Sequence, residues 1–294
     1  MYKSLIPFII YSLAAGCKAQ PSPLPAIHPK TFSDYWHQGK AEISIYDLSQ
    51  FRYGTVHDGQ VVLVFVTEDV SKNKQVKLDD PQRHAADVVN VMKLNTMKEF
   101  VTGIYKYSLM SSVFTPVDYS QNPHSLKLTC SSQDWCGQSF MQANWKGNRY
   151  EVQHMSYFES EGDQAYTLMT SWLEDEIWTK IRIAPNTLPT GDVKMIASAF
   201  YIRLSHKPNN VYDAIASLTK NESGNIYKIE YPDLERTLEI RFQSDFPYKI
   251  LGWKEMYGDG EVTTAEISST VISDYWQHHH PEDEVLRQEL KIKN

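Results

Sequence analysis

Apolar and polar residues alternate from the point where the chain becomes foldable. Ala41, Ile43 and Ile45 fall on one side, Glu42, Ser44 and Tyr46 on the other. A period of two is that of a strand with one buried face. Residues 61–66 (VVLVFV) are continuously apolar, as in a strand covered on both faces. Arg52-Tyr53-Gly54 and His57-Asp58-Gly59 carry turn chemistry between the two, which predicts a hairpin. The same signals return over 125–130, over 139–145 and 149–158 around Lys146-Gly147-Asn148, and over 193–204, 226–231, 238–242 and 262–272. Residues 88–117 are rich in Val, Thr, Tyr and Phe and lean to strands. One helix is well marked. Ser171 and Glu174 form a capping-box pair, three acids (Glu174, Asp175, Glu176) crowd the first turn, and Lys180 and Arg182 close the last. Leu173, Ile177 and Ile181 give it an apolar stripe beside Trp178, and Pro185 stops it. The pattern predicts a mainly β fold, an antiparallel sandwich or half-open barrel, with one helix at about 171–183 packed on an open face or end.

The first residues follow another logic. Lys3, a short and mostly apolar run, then Ala14-Ala15-Gly16-Cys17 have the layout of a secretory signal. The run is far shorter than the roughly 20 apolar residues of a membrane span. Leu13-Ala14-Ala15-Gly16-Cys17 resembles the bacterial lipobox, in which the cysteine is lipidated and becomes the mature N-terminus. The alternative is ordinary cleavage after Ala19. Pro21, Pro23, Pro25 and Pro29 favour extended polyproline II, a semi-rigid spacer. The expected organisation is a signal peptide at 1–16, a lipidated Cys17 with a Pro-rich tether to 31, and a β-rich body over 32–294. That body is either one domain or two sub-domains split near 185–192. The expected address is the cell envelope, membrane-anchored. Lys18 in place of an inner-membrane retention aspartate favours the outer membrane.

The net charge of −7 with no run of Lys and Arg argues against a nucleic-acid partner. With Cys17 lipidated, Cys130 and Cys136 remain, and an even pair in an exported chain suggests a disulfide.

Few constellations suggest chemistry. His278-His279-His280 point in different directions in any regular structure and converge poorly on a metal. His57 beside Asp58 is a candidate base with a carboxylate, set against a plain hairpin tip. Asp134, Trp135 and Cys136 gather a carboxylate, an indole and a thiol, with His124 and His154 on flanking strands, set against a structural corner. Glu159, Glu161 and Asp163 read as a solvated loop rather than a glycosidase pair. His57, Asp58, Asp134, Trp135 and His154 are therefore the surface-site candidates. No catalytic residue, metal site or cofactor is assigned. There is no G-x-S-x-G, H-E-x-x-H, P-loop, dinucleotide fingerprint or EF-hand loop. Asn221-Glu222-Ser223 is a formal glycosylation sequon. Ser33-Asp34-Tyr35-Trp36-His37-Gln38 echoes Ser273-Asp274-Tyr275-Trp276-Gln277-His278, an echo best read as coincidence.

Residues 35–43 (YWHQGKAEI), Arg52-Tyr53-Gly54, residues 64–69 (VFVTED), Trp135-Cys136-Gly137 and Leu188-Pro189-Thr190-Gly191 together resemble a family of exported bacterial lipoproteins of about this length. The resemblance covers nearly the whole body. Members sometimes carry the label "septum formation inhibitor Maf". True Maf proteins are cytoplasmic α/β nucleotide pyrophosphatases with an N-terminal S-x-R-R-type motif that this chain lacks. The resemblance therefore implies address and class and transfers no catalytic residue. Three functions are expected in order: a lipid-anchored envelope module that binds an apolar ligand, a peptide or an envelope protein; an envelope hydrolase of glycan or peptide; and, last, a nucleotide pyrophosphatase.

Overall fold

The structure, a computed structural model, describes residues 29–120, 122–221, 224–258 and 260–292. The signal segment, Cys17, most of the tether and part of the sequon lie outside the described residues. Lys30 and Thr31, at the tether's end, already belong to the first helix, α1 (Pro29–Trp36).

The body is one open sheet of fifteen strands built as two meanders. The first runs β1 (Ala41–Arg52), β2 (Thr55–Ser71), β3 (Val88–Thr102), β4 (Tyr105–Pro116), β5 (Lys127–Asp134), β6 (Gly137–Trp145), β7 (Arg149–Ser156) and β8 (Gln164–Met169). Then come β9 (Trp172–Leu173), helix α2 (Glu174–Ile183), β10 (Gly191–Ile196) and helix α3 (Ala199–Ser205). The second meander is β11 (Val211–Asn221), β12 (Gly224–Tyr231), β13 (Arg236–Phe242), β14 (Ile250–Tyr257) and β15 (Glu261–Ser273). β15 pairs with β1, which joins the meanders. All neighbours are antiparallel except β9 with β10. The sheet's two outer strands, β8 and β9, are separated along the chain by Thr170 and Ser171 alone, so the sheet curls back towards itself without closing. The mainly β, antiparallel, half-open architecture follows the alternation in the sequence. A division near 185–192 falls between α2 and β10, within a molecule whose single sheet includes strands from both sides of it.

The sheet curls around α2. Nine of its ten residues are buried, six of them polar or charged. Its boundary differs from expectation: Leu173, not Ser171, is the N-cap, and the reaching acid is Glu176, whose carboxylate accepts from the Leu173 N–H at 3.2 Å. Each charge on the helix has a partner from a distant strand or loop. Arg182 donates to both oxygens of Glu42 on β1 at 2.6 Å, with the guanidinium 4.7 Å from the Phe65 ring centre. Glu174 accepts from Arg236 on β13 at 2.6 and 2.7 Å and from the Tyr231 hydroxyl at 2.7 Å. Glu176 accepts from the N–H and hydroxyl of Ser125 at 2.9 and 2.6 Å. Lys180 donates to the Pro123 carbonyl and lies 4.0 Å from the Tyr119 ring centre. Asp175 accepts from the Ala199 N–H at 3.1 Å and so holds the start of α3; burial, then the neighbouring Glu174 carboxylate, push it up to about 7.

This interior buries both faces of β1, where one buried face was expected. Glu42, Ser44 and Tyr46 point inward, where Arg182 and a continuous aromatic and aliphatic core meet them. Ala41, Ile43 and Ile45 join Val64 and Val66 in a second cluster, into which Ile292 packs. The C-terminal segment crosses that face: Gln60 donates to the Lys291 carbonyl and Ser269 to that of Leu290. The 61–66 run is thus buried on both sides, as its continuity predicts.

Three local readings change. His57-Asp58-Gly59 lies inside β2, and the hairpin turn is Tyr53-Gly54, both at positive φ (53° and 79°), the geometry of a type I′ turn. The stretch 193–204 is not one strand, because Ser198 caps a new helix by accepting from the Phe200 N–H at 3.3 Å. The Cys130–Cys136 disulfide is absent and both thiols are free. Asp134 pairs with Gly137, so Trp135-Cys136 is a two-residue turn. Cys130 lies four residues down β5, about 13 Å at the strand rise, beyond the ~7 Å that a disulfide spans. The aromatic echo has no structural counterpart: Trp36 is buried in the core, while Trp276 is on the surface.

Two measurements check this interior. Arg182→Met leaves Glu42 buried without its cation and should lower the unfolding free energy in urea by about 3–5 kcal/mol, with most of it restored when Glu42→Gln is added. A loss within ~1 kcal/mol in the single variant would show the pair to be solvated. Native protein treated with a thiol reagent should be modified at Cys136, which is exposed, and at Cys130 only on unfolding. A linked Cys130–Cys136 peptide in an unreduced digest would contradict the geometry.

Candidate functional site

The antiparallel order places the β1–β2, β3–β4, β5–β6 and β7–β8 connections at one end of the molecule. The β12–β13 and β14–β15 turns and the loop after α3 reach the same end, since Arg52 pairs beside Thr55, Tyr231 with Arg236, and Tyr257 with Glu261. β1 begins, and α1 lies, at the other end. At the loop end α3 stands in the opening of the sheet, with a cavity on either side.

The first cavity, about 340 Å³, lies between α3 and the inner faces of β5–β8. Met141, Tyr166 and Ile202 make its apolar wall, and Arg203, His154 and Glu161 its polar one. Glu161 is the centre. One carboxylate oxygen meets the His206 Nδ1 at 2.6 Å. The other accepts from the Ser156 hydroxyl at 2.5 Å and lies 3.9 Å from the His154 Nε2. Burial alone would raise this carboxyl, but the Ser156 hydroxyl and the His206 ring hold it below its ordinary value. His154 is lowered, chiefly by burial and only partly offset by Glu161, so the neutral ring is favoured. Arg203 is 6% exposed. It donates to Asp134 at 3.2 Å, its guanidinium sits 4.6 Å from the Phe158 ring centre, and its Nε–H has no hydrogen-bond partner among the described residues. The Cys130 thiol also lines the cavity, and burial, with Asp175 adding, raises its pKa.

Two of the five sequence candidates reach this site: His154 lines it, and Asp134 supports it through Arg203. Trp135 does not. It is 73% exposed on the β5–β6 turn, its ring 6.4 Å from that of Tyr105. His57 and Asp58 lie on β2, where the His57 Nε2 is 3.1 Å from the Arg52 carbonyl. His124 packs between Trp145 and Trp172, away from Cys136. His278 faces Asp274 and Asp283, and no group of three or more His, Cys, Asp or Glu among the described residues is placed to hold a metal ion. Sequence reasoning missed Arg203 and His206, because 193–204 read as a strand. Ser198, a helix-capping residue ahead of them, was the available signal. Glu161 was noticed and assigned to solvent; its two histidines come from elements seven residues upstream and 45 residues downstream.

Chemically, the cavity sets Arg203 and Lys207 beside the Glu161 carboxylate over an apolar wall. A Ser–His nucleophile pair is not formed, since the Ser156 hydroxyl and the His206 ring each contact Glu161 rather than one another. The Glu161–His206 contact does have the form of a carboxylate orienting a histidine. Comparison of the sequence with models of known protein families gives no match, and comparison with curated proteins gives none.

Proposed function

We propose that this chain is a lipid-anchored protein of the cell envelope, tethered through Cys17, that binds a small amphipathic anion in the cleft between α3 and β5–β8. The observation that carries the reading is Arg203. A guanidinium with a free N–H, nine-tenths buried at a cavity wall, costs desolvation free energy unless an acceptor meets it. Asp134 contributes one contact. A carboxylate or phosphate entering the cavity would supply more, with Lys207 and His206 beside it and Met141, Tyr166 and Ile202 for its apolar part. The volume lies at the small end of ligand pockets, which run from about 300 to 1,000 Å³.

The anchor is compatible with this use. α1 leaves the body at the end opposite the cleft, so a lipid on Cys17 would not cover the opening. The twelve residue steps from Cys17 to Pro29 reach at most about 40 Å when extended. The favoured side is the outer membrane, and an envelope protein is the alternative occupant of the loop end.

A second reading, an envelope hydrolase of glycan or peptide, rests on the Glu161–His206 contact at 2.6 Å, with His206 as a general base. The nucleotide pyrophosphatase reading has no comparable support.

The binding test is calorimetry of the purified body with short-chain carboxylates, dipeptides and phosphate monoesters. One class should bind, and Arg203→Gln should weaken it by about 1.5–3 kcal/mol, the worth of a hydrogen bond to a charged group. His206→Gln, at a more exposed position, should weaken it less. Binding untouched by both variants, or none in any class, would sink the reading, whereas turnover of a dipeptide or glycan ester lost in His206→Gln would install the hydrolase instead. The anchor is checked separately by the intact mass of protein extracted from its native membrane. An acylated chain beginning at Cys17 is expected, and an unmodified chain beginning at Gln20 would remove the tether.

A further inference from the structure

The second cavity, about 430 Å³, lies on the other side of α3, between it and β1, β3, β14 and the start of β15, and shares no lining residue with the Arg203 cleft beyond Lys207. Its walls are aromatic: Phe51, Phe200, Tyr201 and Tyr257 all face it. At its floor is Lys98 of β3, 4% exposed. The amine is held rather than saturated. Its Nζ donates to the Gln50 Oε1 at 3.1 Å, and that amide is fixed in turn because its nitrogen donates to Thr263 and to the Phe51 carbonyl. The Glu255 Oε1 lies 3.8 Å away, outside hydrogen-bond distance, while its Oε2 accepts from Arg236 at 2.9 Å and from the Tyr257 hydroxyl at 2.8 Å. The Phe200 ring centre is 5.9 Å from Nζ.

We propose that Lys98 is a carbonyl-capturing amine, and that this cavity takes an aromatic or otherwise planar apolar aldehyde or ketone as a Schiff base. Two carboxylates, Glu255 and Glu261, and three cations, Lys98, Arg52 and Lys207, line the space, so its charge selects neither sign of ion. The ring-lined wall suits a planar apolar body. The step is balanced without any added reagent. The ammonium gives up one proton, the amine nitrogen bonds to the carbonyl carbon, the carbonyl oxygen becomes a hydroxyl, and it leaves as water when the proton returns. Ammonium plus carbonyl thus becomes iminium plus water, with one positive charge on each side, and Glu255 is the counter-ion to both. Burial lowers the Lys98 pKa, the Arg236 charge lowers it further and Glu255 and Glu174 oppose, a balance that favours the free nucleophilic amine over that of a surface lysine. This inference is independent of the anion site.

The test is reductive trapping on the native wild-type body at neutral pH, with 2-naphthaldehyde and cyanoborohydride, and the modified lysines mapped by peptide mass spectrometry. Lys98 should gain one naphthylmethyl group several-fold faster than the exposed Lys220 and Lys254. The unreactive 2-naphthalenemethanol should slow labelling at Lys98 and leave those two unchanged. No variant is needed for this readout, so a folding defect in Lys98→Arg cannot confuse it. Labelling confined to surface lysines, or labelling of Lys98 that the alcohol does not slow, would overturn the proposal.

Discussion

A helix whose polar residues are nearly all buried can exist only if each buried charge finds a partner, because the desolvation of one isolated ion costs several kcal/mol. In α2 this requirement reaches across the whole molecule. Arg182 needs Glu42 from the first strand, Glu174 needs Arg236 from the thirteenth, and Glu176 needs Ser125 from the loop before the fifth. These contacts are bidentate or multiple and span up to 140 positions. They hold the two meanders in one register about one axis. Hydrophobic burial drives the sheet to curl, since it is non-directional and scales with area. The ion pairs decide where along the helix each strand stops, because charge-assisted hydrogen bonds tolerate little misplacement.

The same helix determines where space is left. A half-open barrel of fifteen strands would enclose a broad apolar trough, yet α2 and its partners fill the middle of it. What remains lies beside α3, the short helix that Asp175 fixes by its first N–H. Each flanking cavity therefore has one wall of sheet and one of helix, and borders a charged group of the interior: Arg203 and Asp134 on one side, Lys98 and Glu255 on the other. Polar chemistry at these sites is thus an outgrowth of the buried network rather than an addition to the surface.

Much of this was legible in the residues. Alternation located most strands, and continuous apolarity found the doubly covered one. Charge order and the 174–183 stripe found α2. The burial of the Ala41, Ile43 and Ile45 face was legible, but that of the opposite face was not, because a polar face is ordinarily a solvent face; only Arg182, far along the chain, makes Glu42 an interior residue. α3 was hidden by apolar and β-branched content ahead of it, with Ser198 as the sole local cue. The disulfide failed because counting cysteines says nothing of register: a two-residue turn sends Cys136 to the tip while Cys130 faces the core. The cleft was half legible. His154 and Asp134 lie on strands the pattern found, but Arg203 lies on the helix it missed and His206 at its C-cap, and they meet only where α3 packs beside β5–β8.

The polarity of the molecule end to end follows from the meander. An odd-numbered strand of the first meander runs towards the loop end and the next returns, so the turns after β1, β3, β5 and β7 gather there, while the chain enters at the other end through α1. At that end Trp36 is buried against Phe65 and Arg182 lies against both rings, beneath a surface hollow of about 580 Å³ lined by Lys40, Glu68 and Asn90. The loop end is open, with Tyr53, Ile104, Trp135 and Tyr157 exposed on four successive connections. The entry through α1 at one end and the two cavities beside α3 at the other follow from one feature, the even number of strands, eight, in the first meander. With an odd number in that meander, the chain would approach α2 from the loop end, and the opening beside α3 would lie on the side of α1.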